Sequence, residues 1–174
     1  MNEDLKAFAS ANYILTKLQE KGIVDITNLK LQKLLYFAFG IHLVLYDNNL
    51  FDANIQAWRL GPVVPSVYRE FKNFGSSPIA STSKARIVDE GTGAVTTPDE
   101  TFFTIQENAI HALDIACEYY GQKKAWDLVN ITHQEKTSAW YKVWSENSRG
   151  KNLNNQDIKD EFMPLLKKIH NKIF

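Results

Sequence analysis

The sequence predicts a mainly α fold: a compact helical bundle, one domain over residues 1–174, packed around a buried central helix. Three observations predict it. Hydrophobic residues make up 44% of the 174 residues, enough for a proper core. Apolar residues recur at helical spacing through most of the chain. One segment is apolar on nearly every side, which is typical of a helix surrounded by others. A small β element is expected mid-chain, where the helical spacing is interrupted.

Two helices are predicted at the start of the chain. Residues 4–21 carry an apolar stripe, and Gly22 is a natural stop. A cap at Thr27 or Asn28 begins the second helix, about 28–46, which is the most hydrophobic segment and the expected centre of the bundle. Its apolar residues are Leu31, Leu34, Leu35, Ala38, Ile41, His42 and Leu45 on one face and Phe37, Phe39 and Leu43 opposite. The lysines of its first turn are expected in solvent; they are Lys30 and Lys33.

The middle of the chain is predicted to hold the β structure. The stretch "NIQAWRL", residues 54–60, is typical of a short strand that Gly61 and Pro62 end sharply. Pro65 suits the first turn of a short third helix, because an amide there would be unbonded anyway. Residues 76–100 are rich in Gly, Ser and Thr. Two apolar pairs flank "DEGTG" within them, which predicts either a small hairpin or a variable loop.

Helices resume in the second half, where apolar stripes again keep helical spacing. The first of these stripes begins at Ile105, and Gly121 ends its helix. Pro164 interrupts the last helix and either kinks it or restarts it, because proline has no amide hydrogen. The predicted helices cover about 105–120, 123–132, 137–146 and 155–173.

Charge and composition restrict the function. The chain has 20 basic and 20 acidic side chains, and only its last helix leans basic. A nucleic-acid binder usually concentrates basic residues on one face, so nucleic acid is not the expected partner. The longest apolar run is too short to span a bilayer, and the first residues are acidic and polar. With Cys117 as the single cysteine, a reduced cytoplasmic protein without a disulfide or a membrane partner is expected.

No pattern of residues predicts catalysis, a metal site or a cofactor. His42 lies on the core stripe and is expected to be hydrogen-bonded there, whereas His111 lies off its stripe and is expected in solvent. His133 stands between two helices, where a capping or interface role is expected. An enzyme using His133 and Glu135 as its acid–base pair is the alternative. Cys117 falls on a core face, where a thiol behaves as a small hydrophobe.

Two features raise the alternative of a nucleic-acid-binding transcriptional regulator of its own operon. The last helix carries basic residues that could contact phosphates, although a solvated face opposite an apolar stripe is the commoner reason for such a pattern. These residues are Lys159, Lys167, Lys168 and Lys172. The first two helices look like a helix-turn-helix, but a reading helix needs an exposed polar face, which the second helix lacks.

The stretch "QAWRLGPVVPSVYREF", residues 56–71, gathers the residue types that bind other proteins. Tryptophan, tyrosine and arginine supply much of the binding energy at interfaces. Pro62 fixes its backbone angles, which lowers the entropy lost on docking, and Gly61 permits a turn that other residues resist. Two interpretations follow. Trp58 and Tyr68 form a rigid, partly exposed platform, or they cover the central helix.

This stretch and the helix before it resemble the Panacea domain family, whose members are also described as phage-associated or SocA-like antitoxins. An Ile-Thr-x-Leu-x-Leu-Gln-Lys-Leu-Leu-Tyr helix matches from Ile26 to Tyr36. An Ala-Trp-x-x-Gly-Pro-Val-x-Pro-x-Val-Tyr block follows from Ala57 to Tyr68. The segment "THQEKTSAW", which ends at Trp140, agrees more loosely. The resemblance covers nearly the whole chain apart from the variable stretch 76–100.

The resemblance implies a non-enzymatic antitoxin that neutralises a cognate protein toxin by direct contact. Some members are also described as adaptors that pass the toxin to an ATP-dependent protease. Others carry an added DNA-binding or zinc-binding domain; the sequence shows none, so autoregulation is not expected. Partner toxins are diverse, so the motif either contacts the toxin or supports variable surface residues that do. The candidate toxin-binding or motif residues are Lys30, Lys33, Tyr36, Trp58, Arg59, Gly61, Pro62, Val63 and Tyr68.

Overall fold

Helices account for most of the structure, a computed structural model that describes residues 4–88, 91–99, 107–133, 136–145 and 150–173. The helices are α1 Leu5–Glu20, α2 Asn28–Tyr46, α3 Pro65–Phe71, α4 Glu107–Tyr120, α5 Ala125–His133, α6 Ala139–Ser145 and α7 Asn155–Ile173, with a 3-10 turn at Lys72–Phe74 after α3. The mainly α fold is thereby confirmed. The predicted start of the fourth helix at Ile105 lies outside the described residues, and Pro164 lies inside α7, which continues through it.

The second helix is the centre of the fold, as its all-round apolar pattern predicts. Its N-cap is Thr27, whose side chain accepts a hydrogen bond from the backbone N–H of Lys30. Of its 19 residues, 15 are buried. It packs against α1, α4, α5 and α7, and it ends at Asp47, which adopts a left-handed conformation with φ of 53°.

Two close contacts show how tightly helices pack around α2. The rings of Phe37 on α2 and Tyr120 on α4 are stacked at 4.0 Å between centroids. On the side facing α7, a Cβ added to Gly40 would lie 2.5 Å from the ring of Phe162. Glycine at this position therefore lets α7 approach α2 more closely than any larger residue would allow.

A short antiparallel hairpin follows α2. Its strands are β1, Gln56–Trp58, and β2, Gly61–Val63, with Ala57 opposite Pro62. The sequence indicated only one strand, ended by Gly61 and Pro62. The predicted strand is confirmed as β1, which ends before Gly61, whereas the returning strand that these two residues begin was not indicated.

A third segment pairs with the other edge of β1, and the sequence did not indicate it. The amide of Ala57 donates to the carbonyl of Lys151 at 3.0 Å, and the amide of Gly150 donates to the carbonyl of Ala57 at 2.8 Å. The amide of Leu153 donates to the carbonyl of Ile55 at 2.8 Å. Residues 150–153 therefore attach the start of α7 to the hairpin.

A second hairpin forms within residues 76–100, as one of the two predicted alternatives stated. Its strands are β3, Ile87–Val88, and β4, Val95–Thr96. The chain before it is attached to α1 by Asn12, whose amide side chain bonds both the backbone N–H and the carbonyl of Ser83. Among the described residues, no helix is long and apolar enough to cross a membrane.

Candidate protein-docking site

The β1–β2 hairpin lies on α2 by its backbone, and Pro62 is the central residue of that contact. Ala57 bonds outward to residues 150 and 151, so Ala57 and Pro62 form a pair without ladder hydrogen bonds. The missing N–H of Pro62 therefore costs no ladder bond. Its carbonyl points away from β1 and accepts a hydrogen bond at 2.8 Å from the ammonium of Lys33 on α2.

Lys33 is fully buried beneath the hairpin, although the sequence placed it in solvent. Its exposed fraction is 0%, and burial lowers the pKa of its ammonium from 10.5 to about 7. The prediction of a solvated first turn is wrong because the hairpin, which is distant in sequence, covers this side of α2. Lys33 supports the hairpin from below and offers no surface to a partner.

Lys30 and Tyr36 are likewise buried, at 0% and 1% exposure. The ammonium of Lys30 reaches the carboxylate of Asp25 at 2.9 Å, and Asp25 itself is exposed. The hydroxyl of Tyr36 donates to the carboxylate of Glu161 on α7 at 2.6 Å. Burial, followed by the charge of Glu161, raises the pKa of Tyr36 well above its usual value. Neither side chain stands beside an exposed docking surface, contrary to expectation.

Glutamine and asparagine of α2 complete the attachment of the hairpin. The side chain of Gln32 accepts from the backbone N–H of Val64 at 2.9 Å and donates to Asn28 at 3.0 Å. Asn28 in turn donates to the carbonyl of Tyr68 on α3 at 3.0 Å. A chain of buried amides therefore fixes both the end of β2 and the start of α3 on α2.

Gly61 is required at the start of β2 for two reasons. Its φ of +102° is a conformation that residues with a side chain rarely adopt. A Cβ there would also lie 2.7 Å from the hydroxyl of Thr132 and 2.9 Å from the ammonium of Lys33. Gly61, Pro62 and Val63 are all buried. They are the inner layer of the motif.

Three other motif residues face outward. Arg59 and Tyr68 are exposed, and Trp58 is half-buried. Trp58 and Tyr68 pack edge to face with their ring centroids 4.9 Å apart. The indole N–H of Trp58 donates to the side chain of Gln56 at 3.0 Å. The hairpin part of the motif therefore divides into a buried layer, which Lys33 bonds from α2, and an outer layer at the surface.

An aromatic stack from α5 and α6 supports the outer layer. The indole N–H of Trp140 donates to the carbonyl of Trp58 at 2.7 Å. The ring centroid of His133 lies 3.8 Å from that of Trp140, and the ring of Trp144 stacks on Trp140 with centroids 5.4 Å apart. The sequence pointed to the segment ending at Trp140 but not to Trp144. The signal was present, since residues 140 and 144 are one helical turn apart.

His133 holds a structural position in this stack. Its Nδ1 donates to the carbonyl of Val129 at 2.6 Å, and its Nε2 lies 3.5 Å from the carbonyl of Arg59. The expected capping or interface role agrees with these contacts. The alternative acid–base pair cannot be described, because Glu135 lies outside the described residues.

The other candidate residues take the positions that the sequence predicts. His42 is buried and donates through Nδ1 to the carbonyl of Asn48 at 2.8 Å, and burial lowers its pKa. His111 is exposed. Cys117 is 2% exposed, and burial raises the pKa of its thiol to about 12, so it is not an activated nucleophile.

The features that raised a nucleic-acid alternative find little support. The burial of α2 leaves no exposed polar face with which it could read a DNA groove. On the last helix, Lys159 pairs with Asp47 at 2.5 Å, while Lys167 and Lys168 are exposed. The side chain of Lys172 lies outside the described residues. Within the described ranges, no three His, Cys, Asp or Glu side chains converge as metal ligands would.

The site is thus an aromatic hairpin that a helical scaffold braces from α2, α5 and α6. Residues 31–141, more than half of the chain, match the family described as antitoxin SocA-like, Panacea domain. The chain belongs to this family. It is 33% identical over 132 residues to Antitoxin SocA of Caulobacter vibrioides (strain NA1000 / CB15N). The match covers 75% of this chain and 66% of that protein. No solved structure matches the chain significantly.

Proposed function

We propose that the chain is a non-enzymatic antitoxin that neutralises a protein toxin by binding it directly. Membership of the SocA-like Panacea family is the observation that carries this proposal. The docking site supports it, because a partly exposed tryptophan beside an exposed arginine and an exposed tyrosine, all on a fixed backbone, are suited to binding another protein.

Both interpretations of the motif apply, each to a different layer. Trp58, Arg59 and Tyr68 face outward and are proposed to contact the toxin. The buried motif residues are not proposed to touch the toxin; they are Lys30, Lys33, Tyr36, Gly61, Pro62 and Val63. Of the three on α2, Lys33 bonds the hairpin directly, whereas Lys30 pairs with Asp25 and Tyr36 with Glu161. Relatives with different toxins can share this inner layer and differ in the side chains around the outer one.

A co-expression experiment tests the proposal. The gene adjacent to this one is expressed alone and then together with this chain, and the complex is recovered by pull-down. We expect growth arrest with the neighbour alone, rescue on co-expression, and a stable complex. A harmless neighbour, or a toxic one that is neither bound nor rescued, contradicts the proposal and makes binding to the operon's promoter the next measurement.

Surface variants then test whether the hairpin contacts the toxin or only supports other residues that do. Trp58→Ala should weaken toxin binding by about tenfold or more, as is usual for a central aromatic residue at an interface. Trp126→Ala is the matched control, because Trp126 is 61% exposed and lies on α5 outside the hairpin. Equal losses from the two variants would show that the hairpin is not the binding surface.

Delivery to an ATP-dependent protease is a separate part of the proposal. An antitoxin that only occludes its toxin leaves the toxin's lifetime unchanged or longer, whereas an adaptor shortens it. Toxin half-life after a block of translation, with and without this chain, distinguishes the two. A shorter half-life that returns to normal in a strain lacking the protease supports the adaptor role.

A further inference from the structure

An open groove runs beside the outer layer of the hairpin. It encloses about 600 Å³ and is lined by Ala57, Trp58, Arg59, Trp144 and Gly150. The floor is open above Gly150, since a Cβ added there would meet no atom within 4 Å. Its surface is mainly apolar, and the side chains of Trp58 on β1 and Trp144 on α6 both line it. A groove of this size and openness accepts a projecting side chain from another macromolecule.

The walls of the groove are fixed before anything binds. Trp140 connects them, because its N–H is bonded to the carbonyl of Trp58 at 2.7 Å while its ring stacks on Trp144 at an interplanar angle of 18°. The floor is held by the hydrogen bonds between Ala57 and residues 150 and 151. A site that is already formed loses little conformational entropy on binding.

Among the residues that the structure describes, two cations stand at the rim of the groove. Arg59 lies at the hairpin turn and is exposed, and Lys151 follows Gly150 and is also exposed. Neither makes an ion pair with any residue that the structure describes. None of the described lining residues is acidic. The groove therefore presents apolar walls next to two cations that have no carboxylate partner within the described ranges.

We infer that this groove binds a segment of the toxin in which an aromatic or large aliphatic side chain is flanked by carboxylates. The apolar side chain enters between the two indoles, and the carboxylates pair with Arg59 and Lys151. Arginine suits this role because its planar guanidinium can bond a carboxylate through two parallel N–H groups. The inference rests on the proposed antitoxin function for the identity of the partner.

A single-stranded nucleic acid also combines stacking rings with negative charge, but the site fits it less well. Such ligands are bound along an extended basic track with several stacking platforms. Here one groove carries two cations, and the chain as a whole has a net charge of zero. A protein segment needs only one apolar side chain and its flanking carboxylates, and the groove supplies a partner for each.

Short peptides test the groove without the toxin. The indole N–H signals of the full chain are recorded by NMR and assigned with Trp→Phe variants. The acidic probe is acetyl-Asp-Phe-Glu-Leu-amide, the basic control is acetyl-Lys-Phe-Lys-Leu-amide, and the nucleic-acid control is a thymidine octanucleotide. We expect the acidic peptide to shift the signals of Trp58 and Trp144 but not that of Trp126, and Arg59→Gln to abolish the shifts.

Three outcomes of the peptide experiment would overturn the inference. They are no shift with the acidic peptide, equal shifts with the basic one, and tighter binding of the octanucleotide. Shifts at Trp126 equal to those at Trp58 would also overturn it, because the binding would then not be specific to the groove.

Binding of the toxin tests the identity of the occupant. Arg59→Glu should weaken the toxin complex at least tenfold, and Arg59→Lys, which keeps the charge but loses the paired N–H groups, should weaken it less. Lys123→Glu is the matched control, because Lys123 is exposed at the corner between α4 and α5. If the acidic peptide binds but Arg59→Glu leaves the toxin complex intact, the toxin is not the occupant, although the antitoxin function stands. If the unchanged chain binds no toxin, the proposed function and this occupant fail together, whatever the peptides show.

Discussion

Lys33 is buried, yet it helps to form the exposed surface of the β1–β2 hairpin because it bonds the backbone of that hairpin. Its ammonium donates to the carbonyl of Pro62. This carbonyl points away from β1, so no strand amide bonds it. An unbonded carbonyl buried there would cost about 1–3 kcal/mol. The long side chain spans the distance from α2 to the strand, and its burial is tolerated because the ammonium can lose its proton near neutral pH.

Replacing Lys33 by methionine should remove one contribution to the pH dependence of stability. The pKa of Lys33 is about 7 when folded, against an ordinary value of 10.5. Between these values the unfolded state holds a proton that the folded state lacks, so the free energy of unfolding rises with pH. The slope is at most about 1.4 kcal/mol per unit. Denaturant titrations between about pH 7 and 8.5 should show this rise in the unchanged chain and its loss in Lys33→Met.

The comparison with Lys33→Met is needed because ionisation of Cys117 changes the free energy of unfolding with pH in the opposite direction. Burial raises the pKa of its thiol from 9.0 to about 12, so above about pH 9 the unfolded state loses a proton that the folded state keeps. Stability then falls with pH. The hydrogen-bond acceptor of Lys33, the carbonyl of Pro62, does not titrate in this range. Equal slopes in the two proteins would contradict the assignment.

Among the elements, the β1–β2 hairpin depends most on its neighbours. A two-stranded hairpin of this length is barely stable alone in water. Here residues 150–153 add pairing along β1, and side chains of α2 bond the outer edge of β2. The indole of Trp140 adds a bond at the turn. The hairpin is rigid because it is held on three sides.

The crossing of α2 and α7 offers a test of packing between elements. Alanine normally favours a helix over glycine by about 1 kcal/mol. At Gly40, however, a Cβ would lie 2.5 Å from the ring of Phe162, which is 3% exposed and has little room to move. We therefore expect Gly40→Ala to lower the free energy of unfolding by about 1–2 kcal/mol, because overpacking exceeds the gain in helix propensity.

A double variant identifies the cause of that loss. Gly40→Ala combined with Phe162→Leu should be less destabilised than the sum of the two single changes, because the smaller side chain leaves space for the new methyl group. Thermal or denaturant unfolding measures all three proteins. A more stable Gly40→Ala protein would show that α7 is not in close contact with α2.

Across the whole molecule, the fold brings together three segments that are far apart in sequence. The helix from Ile26 to Tyr36, the block from Ala57 to Tyr68 and the segment ending at Trp140 meet at the hairpin. The first supplies buried supports, the second the backbone and outward side chains, and the third an aromatic brace. The three matching blocks thus correspond to one continuous structural unit.

Because α2 forms the centre of the core, a cavity in it should lower the stability of the whole molecule. Leu35 is 0% exposed, so Leu35→Ala should lower the free energy of unfolding by about 2–5 kcal/mol through the cavity it leaves. Val24→Ala is the control, since Val24 is 71% exposed and its loss should cost less than about 0.5 kcal/mol. Denaturation midpoints measure both. An unchanged midpoint for Leu35→Ala would mean that the core lies elsewhere.

The helices could be predicted from the sequence because their signals are local. Thr27, Gly22 and Pro65 mark helix ends through their own backbone and side-chain preferences, and the predicted helix limits agree with the structure to within a few residues. Burial of Lys30 and Lys33 could not be predicted. A lysine near a helix start is ordinarily solvated, and only the position of the hairpin decides otherwise.

The candidate site was predicted in part. Trp58, Arg59 and Tyr68 stand out in the sequence because their residue types bind proteins, and the structure leaves Arg59 and Tyr68 exposed and Trp58 partly exposed. The contribution of Trp144 and of residues 150–153 was missed. Pairing of a few residues with a strand almost a hundred positions away leaves no periodicity in the sequence, so no local pattern could indicate it.

The sequence by itself determined the helical class, the central position of α2 and the hydrogen-bonded core role of His42, because periodicity and capping act over a few residues. It also contained the motif of the SocA-like Panacea family. The tertiary structure alone decided which motif residues are supports and which are surface. That division depends on the free energy of burial, which is set by the neighbours that long-range contacts bring to each side chain.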